Sequence, residues 1–140
     1  MVRLIRRFVF CVLILFLPIT ARAQQYVVDT LAANPNIAFP VSIAFSPDNG
    51  GKFFFTEKNN GRVRIFDRGA LRPTPFTTVA VVGSGEQGLL GVTLHPDYPD
   101  SPFVYIFSTR SSDAWNIVVR YRDSASIGVQ PVTILVNPHT

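Results

Sequence analysis

Val41-Ser42-Ile43-Ala44-Phe45-Ser46-Pro47-Asp48 is echoed 49 positions later by Gly91-Val92-Thr93-Leu94-His95-Pro96-Asp97, which sets Pro47 over Pro96 and Asp48 over Asp97. Each copy is a short stretch of strand-forming residues that ends in a Pro-Asp turn. An aromatic run follows in both, Phe53-Phe54-Phe55-Thr56 and then Phe103-Val104-Tyr105-Ile106. A polar loop leads to an Arg-bearing strand, Val63-Arg64-Ile65-Phe66 or Val118-Val119-Arg120-Tyr121, and a fourth strand closes the unit. Four antiparallel strands repeated at a period of about 50 residues is the pattern of a β-propeller blade.

The rest of the chain agrees with an all-β class. Strands are expected at Tyr26 to Leu31, Val41 to Phe45, Lys52 to Thr56, Arg62 to Phe66, Phe76 to Val82, Leu89 to Leu94, Phe103 to Ser108, Ile117 to Tyr121 and Val132 to Val136. No segment keeps a helical apolar period for three turns. A small two-sheet β-sandwich is the competing architecture, and the internal repeat disfavours it. Two blades do not close a propeller, because each blade buries its faces on two neighbours and the usual minimum is about four. The 140 residues therefore read as the N-terminal portion of a longer propeller, with blades at about 38–84 and 85–140. Asn137-Pro138-His139-Thr140 stands where a third blade would begin, and Tyr26 to Leu31 is expected to pair with the last blade in the full protein and to lie loose or borrow an edge in this chain.

Residues 1–23 read as a secretory signal peptide. They combine a cationic start, the apolar run Phe8 to Leu17 and a small-residue cleavage site at Ala21-Arg22-Ala23 before Gln24. A run of about ten apolar residues broken by Pro18 falls short of the roughly 20 needed for a membrane anchor. Arg6-Arg7 lacks a twin-arginine surround, and Cys11 has no lipobox before it. The expected location is secreted or periplasmic, with no stable membrane anchor after cleavage. Of the 13 Lys and Arg residues, Arg3, Arg6, Arg7 and Arg22 lie in this leader, which leaves nine cations to balance nine anions. The net charge of +4 is thus no sign of nucleic-acid binding. Cys11 is the one cysteine, so the mature chain has no disulfide, thiolate nucleophile or cysteine metal site.

Blade geometry says where chemistry would sit. The loops before the first strand and after the second strand of each blade share one face, around the mouth of the channel. Here these are Val82 to Gly88, Lys58 to Gly61 and Arg110 to Trp115. Gly85 and Gly88 let the first of them turn tightly, and Glu86 and Gln87 form a polar pair between them, placed to orient a ligand. Trp115 is a candidate to stack on a ligand from the same face, or else fills a seam between blades.

Gly85-Glu86-Gln87-Gly88-Leu89-Leu90-Gly91-Val92-Thr93-Leu94-His95-Pro96-Asp97-Tyr98, preceded by Phe55-Thr56-Glu57-Lys58 and Gly61-Arg62-Val63-Arg64-Ile65, resembles the start of the glucose/sorbosone dehydrogenase family. The resemblance implies a secreted six-bladed β-propeller that uses pyrroloquinoline quinone (PQQ) and calcium. It also implies oxidation of a sugar or polyol hydroxyl, with hydride passing to the quinone and a His as base, and leaves the electron acceptor unspecified. Substrate-binding roles fall to Glu86, Gln87 and Trp115. The family's substrate-contacting Gln usually follows the first Gly directly, where this chain has Glu86, with Gln87 one place on. The family's catalytic His belongs to a His-x-Gly-Gly segment that opens the third blade, and the quinone and calcium ligands come later still. No catalytic, cofactor or metal ligand is therefore expected within these 140 residues, and the chain alone should be inactive. The rival reading is a non-catalytic propeller used for binding.

Other polar residues read as structural. His95 matches Ser46 and falls in a turn on the face away from the channel mouth, while His139 precedes the segment where the family His belongs. Glu57 with Arg62 or Arg64 reads as an ion pair within the blade. Asp48 and Asp97 are isolated in Pro-Asp turns with no second metal ligand nearby.

Overall fold

The computed structural model describes residues 25–28, 30, 37–48 and 50–138. The leader, residues 1–23, and His139 lie outside the described residues. Two antiparallel sheets follow one another along the chain. The first runs β1 (Pro40–Phe45), β2 (Phe53–Glu57), β3 (Arg62–Asp67) and β4 (Ala70–Leu71), with β5 (Thr77–Thr78) also paired to β3. The second is an uninterrupted meander of β6 (Leu89–Leu94), β7 (Phe103–Thr109), β8 (Asn116–Ser124) and β9 (Ile127–Asn137). Both expected repeats are therefore sheets in their own right, and β1 and β6, the two copies of the quoted stretch, lie side by side. Ser42 Oγ accepts the Val92 N–H at 3.2 Å across that seam.

Period-2 alternation sorts the side chains of each strand between two faces. From the first sheet, Phe54, Val63 and Ile65 point at the second, which answers with Leu89, Val92, Val104, Ile106, Ile117, Val119 and Tyr121. Phe54 is fully buried and meets Phe76 and Tyr98 edge-on, at centroid distances of 5.3 and 6.0 Å. Burying one such side chain is worth about 1.5–3 kcal/mol, so this layer carries most of what holds the sheets together. The opposite face of the first sheet gathers Phe53, Phe55 and Phe66, with Phe53 stacked on Phe66 at 4.9 Å.

Two expectations need correction. Phe76 to Val82 is not one strand: the outer position of the first sheet is shared by β4 and β5, which pair with opposite ends of β3. Between them runs Arg72-Pro73-Thr74-Pro75, where two prolines remove the N–H donors a continuous ladder needs. The last strand begins at Ile127, five residues before the expected Val132. Among the described residues of the leading segment, Tyr26, Val27 and Val28 form no strand and are exposed.

A buried polar cluster ties the sheets at the end where the Pro-Asp turns lie. Lys52 Nζ donates to Asp123 Oδ2 at 3.0 Å and to the Tyr98 hydroxyl at 2.8 Å, and Tyr98 donates to the same carboxylate oxygen at 2.5 Å. Burial, then the hydrogen bond to Asp123, pushes the Tyr98 hydroxyl well above the ordinary tyrosine value of 10.0. The proton is thus held by the folded chain after the unfolded chain has released it, so stability contributed by Tyr98 is present below pH 10.0 and declines as pH rises past it. Urea titrations of wild type and Tyr98→Phe should show a gap that narrows above that pH; a gap that widens would contradict the burial argument.

Candidate functional site

Strand direction carries the chain back and forth between two ends. The β1–β2 and β6–β7 turns lie at the far end, whereas the β2–β3 turn, the segment from Val82 to Gly88 and the β7–β8 loop lie at the other. These are the three loops that the sequence singled out, and the structure joins them by hydrogen bonds. Leu89 N donates to Lys58 O at 2.9 Å, Thr109 N to Gly88 O at 2.8 Å and Val82 N to Thr109 O at 3.1 Å. Ser111 N reaches Ala80 O at 3.2 Å, beside an isolated bridge between Val81 and Arg110.

Gly83 to Gly88 fits this junction because side chains would not. A Cβ on Gly83 would lie 2.6 Å from Asn59 O, and one on Gly88 would lie 2.7 Å from both Lys58 O and Lys58 Cγ. Between the glycines the chain makes a turn closed by Gln87 N donating to Ser84 O at 3.1 Å. Glu86 is exposed and Gln87 half-buried, so the pair sits on the surface of the loop, not inside it. The Lys58 ammonium crosses from the first sheet and donates to Gly85 O. Its stem passes over Gly88, and its head stands 5.3 Å from the Phe39 ring centroid.

The β7–β8 loop is braced by its own charges. The Arg110 guanidinium grips the Asp113 carboxylate through Nε at 3.0 Å and through a second nitrogen, and Trp115 N donates to Asp113 Oδ1 at 3.2 Å. This contact holds the Asp113 carboxyl below its usual range and raises Arg110. Ala114 takes φ 59°, and Arg110 N donates to Trp115 O at 2.9 Å, so the loop closes on itself and leaves the indole 37% exposed. Thr109 Oγ1, donating to Asn116 Oδ1 at 2.9 Å, ties the base of the loop. Sequence reading had no signal for the roles of Asn59, Thr109 and Asp113 as supports; the Asp-x-Trp spacing is the nearest cue.

His95 is elsewhere. It occupies the β6–β7 turn, where its N–H reaches Phe103 O at 2.9 Å and its Nδ1 accepts the Asp97 N–H at 3.2 Å. The ring is thus engaged in capping its own turn. Glu57 is fully buried, where Arg62 Nε meets Oε2 at 2.5 Å and Arg64 meets Oε1 at 3.5 Å, and Ala38 N donates to the same Oε1 at 3.1 Å. It is a buttress for the start of β1. Asp48 accepts the Gly50 N–H at 3.3 Å in its turn. Among the described residues, no three His, Cys, Asp or Glu side chains come together as a metal site.

Comparison with known proteins places this arrangement. The family model for Glucose / Sorbosone dehydrogenase matches residues 37–137. Quinoprotein glucose dehydrogenase B of Acinetobacter calcoaceticus is 29% identical over 92 residues, a stretch that covers 64% of this chain and 19% of that protein. The PQQ-bound aldose sugar dehydrogenase of Streptomyces coelicolor superposes with a TM-score of 0.67 at 29% identity, over 81% of this chain and 34% of that one. The apo form of the soluble aldose sugar dehydrogenase of Escherichia coli gives 0.61 at 26% identity, over 71% and 30%. The chain thus spans no more than about a third of each of these relatives.

Proposed function

The chain belongs to the glucose/sorbosone dehydrogenase family, and from that premise we propose that it is the N-terminal part of a secreted or periplasmic quinone-dependent sugar dehydrogenase. In this reading the two sheets are the first blades of a six-bladed propeller, and the reaction is oxidation of a sugar or polyol hydroxyl. PQQ is the redox group of the relatives, as the quinoprotein and PQQ-bound examples indicate; calcium is proposed alongside it. The residues at the loop end do not themselves fit either group, because no acidic cluster for a metal meets among the described residues and Lys58 is already committed to Gly85 O. In this reading their ligands belong to the part of the fold that this chain does not span.

What this chain supplies is a place for the sugar. The observation that carries the reading is the convergence of three loops on Gly85 to Gly88, with Glu86 exposed. A carboxylate offers two acceptor oxygens to sugar hydroxyls, and the neighbouring amide of Gln87 offers both a donor and an acceptor. The exposed indole of Trp115, held by its braced loop, offers an apolar face to the C–H side of a pyranose.

In the full-length protein loaded with PQQ and calcium, Glu86→Ala and Gln87→Ala should each lower kcat/KM for an aldose about tenfold, the loss expected for one or more substrate hydrogen bonds. His95→Ala should leave kcat within about twofold, because the ring caps a turn at the far end. A folded His95→Ala protein with activity down about a thousandfold, the size expected from losing a general base, would reverse this assignment of ends.

A further inference from the structure

The Gly85 to Gly88 loop has no regular secondary structure, yet the reading above requires its polar pair to be held in one place. Its turn bond, Gln87 N to Ser84 O, closes the loop without fixing its tilt against the first sheet. Lys58 is the residue that does. Its backbone is pinned on both sides, with its N–H on Phe39 O at 3.1 Å and its carbonyl accepting Leu89 N at 2.9 Å. From that anchor the stem runs over Gly88, close enough that a Cβ there would meet Cγ at 2.7 Å, and the ammonium ends on Gly85 O. One side chain thus spans the loop from its last glycine to the glycine before Glu86.

The bond to Gly85 O has a further geometric consequence. That carbonyl belongs to the Gly85–Glu86 peptide, and in a planar trans peptide the N–H points opposite to the C=O. A lysine holding the carbonyl therefore turns the Glu86 N–H away from the first sheet and fixes the plane from which the Glu86 side chain departs. The same charge polarises the peptide and makes its N–H a better donor. We propose that Lys58 is a positioning residue: it locks the Gly85–Glu86 peptide so that the Glu86 amide and carboxylate present a fixed donor and acceptor to a sugar. This inference rests on the sugar-binding reading of the loop.

The test uses the full-length protein, with D-glucose as the probe. Lys58→Met keeps a stem of similar length over Gly88 and removes the ammonium. It should raise KM about tenfold while kcat changes less than about threefold, and Lys58→Arg should restore most of the loss. With the loop no longer locked, Glu86→Ala combined with Lys58→Met should be little worse than Glu86→Ala alone. Amide hydrogen exchange of the peptide covering Gly85 to Gly88, measured without PQQ or sugar, should be faster in Lys58→Met than in wild type while the peptide covering β7 is unchanged. Unchanged exchange in the loop overturns the lock, and faster exchange with an unchanged KM overturns the positioning role. A KM raised equally in Lys58→Met and Lys58→Arg overturns the part played by the positive charge. If loop exchange rises as expected but Glu86→Ala and Gln87→Ala both keep full activity, the lock stands and the sugar-binding reading falls.

Discussion

Asp123→Ala is expected to destabilise the chain by about 3–5 kcal/mol, the range for breaking a buried ion pair from one side. The carboxylate is 7% exposed and accepts three bonds: Lys52 Nζ at 3.0 Å and the Tyr98 hydroxyl at 2.5 Å on Oδ2, and Ser126 N at 2.7 Å on Oδ1. Its removal leaves a lysine that is only 16% exposed without its counter-charge, held by Tyr98 and by the Phe54 ring 4.9 Å away. It also releases the turn that starts β9. Because Lys52 and Asp123 come from different sheets, the damage falls on the seam between the repeats and not within either one. Urea unfolding should show a midpoint shift with little change in slope. Lys52→Met in the Asp123→Ala background should recover part of the loss, since it removes the stranded charge. A shift of less than about 1 kcal/mol for Asp123→Ala would show that water already reaches the cluster.

That cluster was not legible in the sequence. Lys52 and Asp123 stand 71 residues apart, and neither lies in a motif. The repeat could be read because its two copies are local patterns: Leu89–Leu94 falls where expected, and Pro40–Phe45 begins one residue early. Misreadings came where backbone chemistry overrode the usual residue signals. The β8–β9 hairpin turns through Ala125 and Ser126, both at positive φ, 52° and 69°. Such a turn is ordinarily marked by Asn or Gly, so nothing announced it. Pro131 follows Gln130, which has φ 51°, at a register shift opposite Arg120 to Arg122. On an edge strand a bulge tolerates proline, and β9 continues through it.

The candidate site was legible to the level of loops. Alternating strand direction is enough to send Lys58 to Gly61, Val82 to Gly88 and Arg110 to Trp115 to one end, and His95 to the other. Which side chain holds the Val82 to Gly88 loop was not, because the contact between Lys58 and Gly85 depends on how two sheets lean together. Spaced glycines were the one usable cue, since they mark where another backbone approaches closely. They did not say which backbone.

One such approach, at Gly88, yields the second large effect. Gly88→Ala in the full-length protein should lower kcat/KM for an aldose about a hundredfold, while costing about 1–3 kcal/mol of stability. Gly88 has φ +140°, a conformation open to glycine and strained for alanine, and the added methyl would lie 2.7 Å from Lys58 O and from Lys58 Cγ. Neither neighbour can retreat easily. Lys58 O is held by Leu89 N at 2.9 Å, Leu89 is fully buried, and Gly88 O is held by Thr109 N at 2.8 Å. The strain is therefore relieved by displacement of the free side of the loop, which carries Glu86 and Gln87, and a shift of about 1 Å at a positioning group is enough for a loss of this size. Gly85→Ala is the matched control. Its φ of +55° carries the left-handed penalty of about 1–2 kcal/mol, but nothing lies within 4 Å of the new methyl, so the loop stays where it is and activity should fall by less than about threefold. If both variants lose activity equally, the loss follows backbone strain and not the wall that Lys58 sets against Gly88.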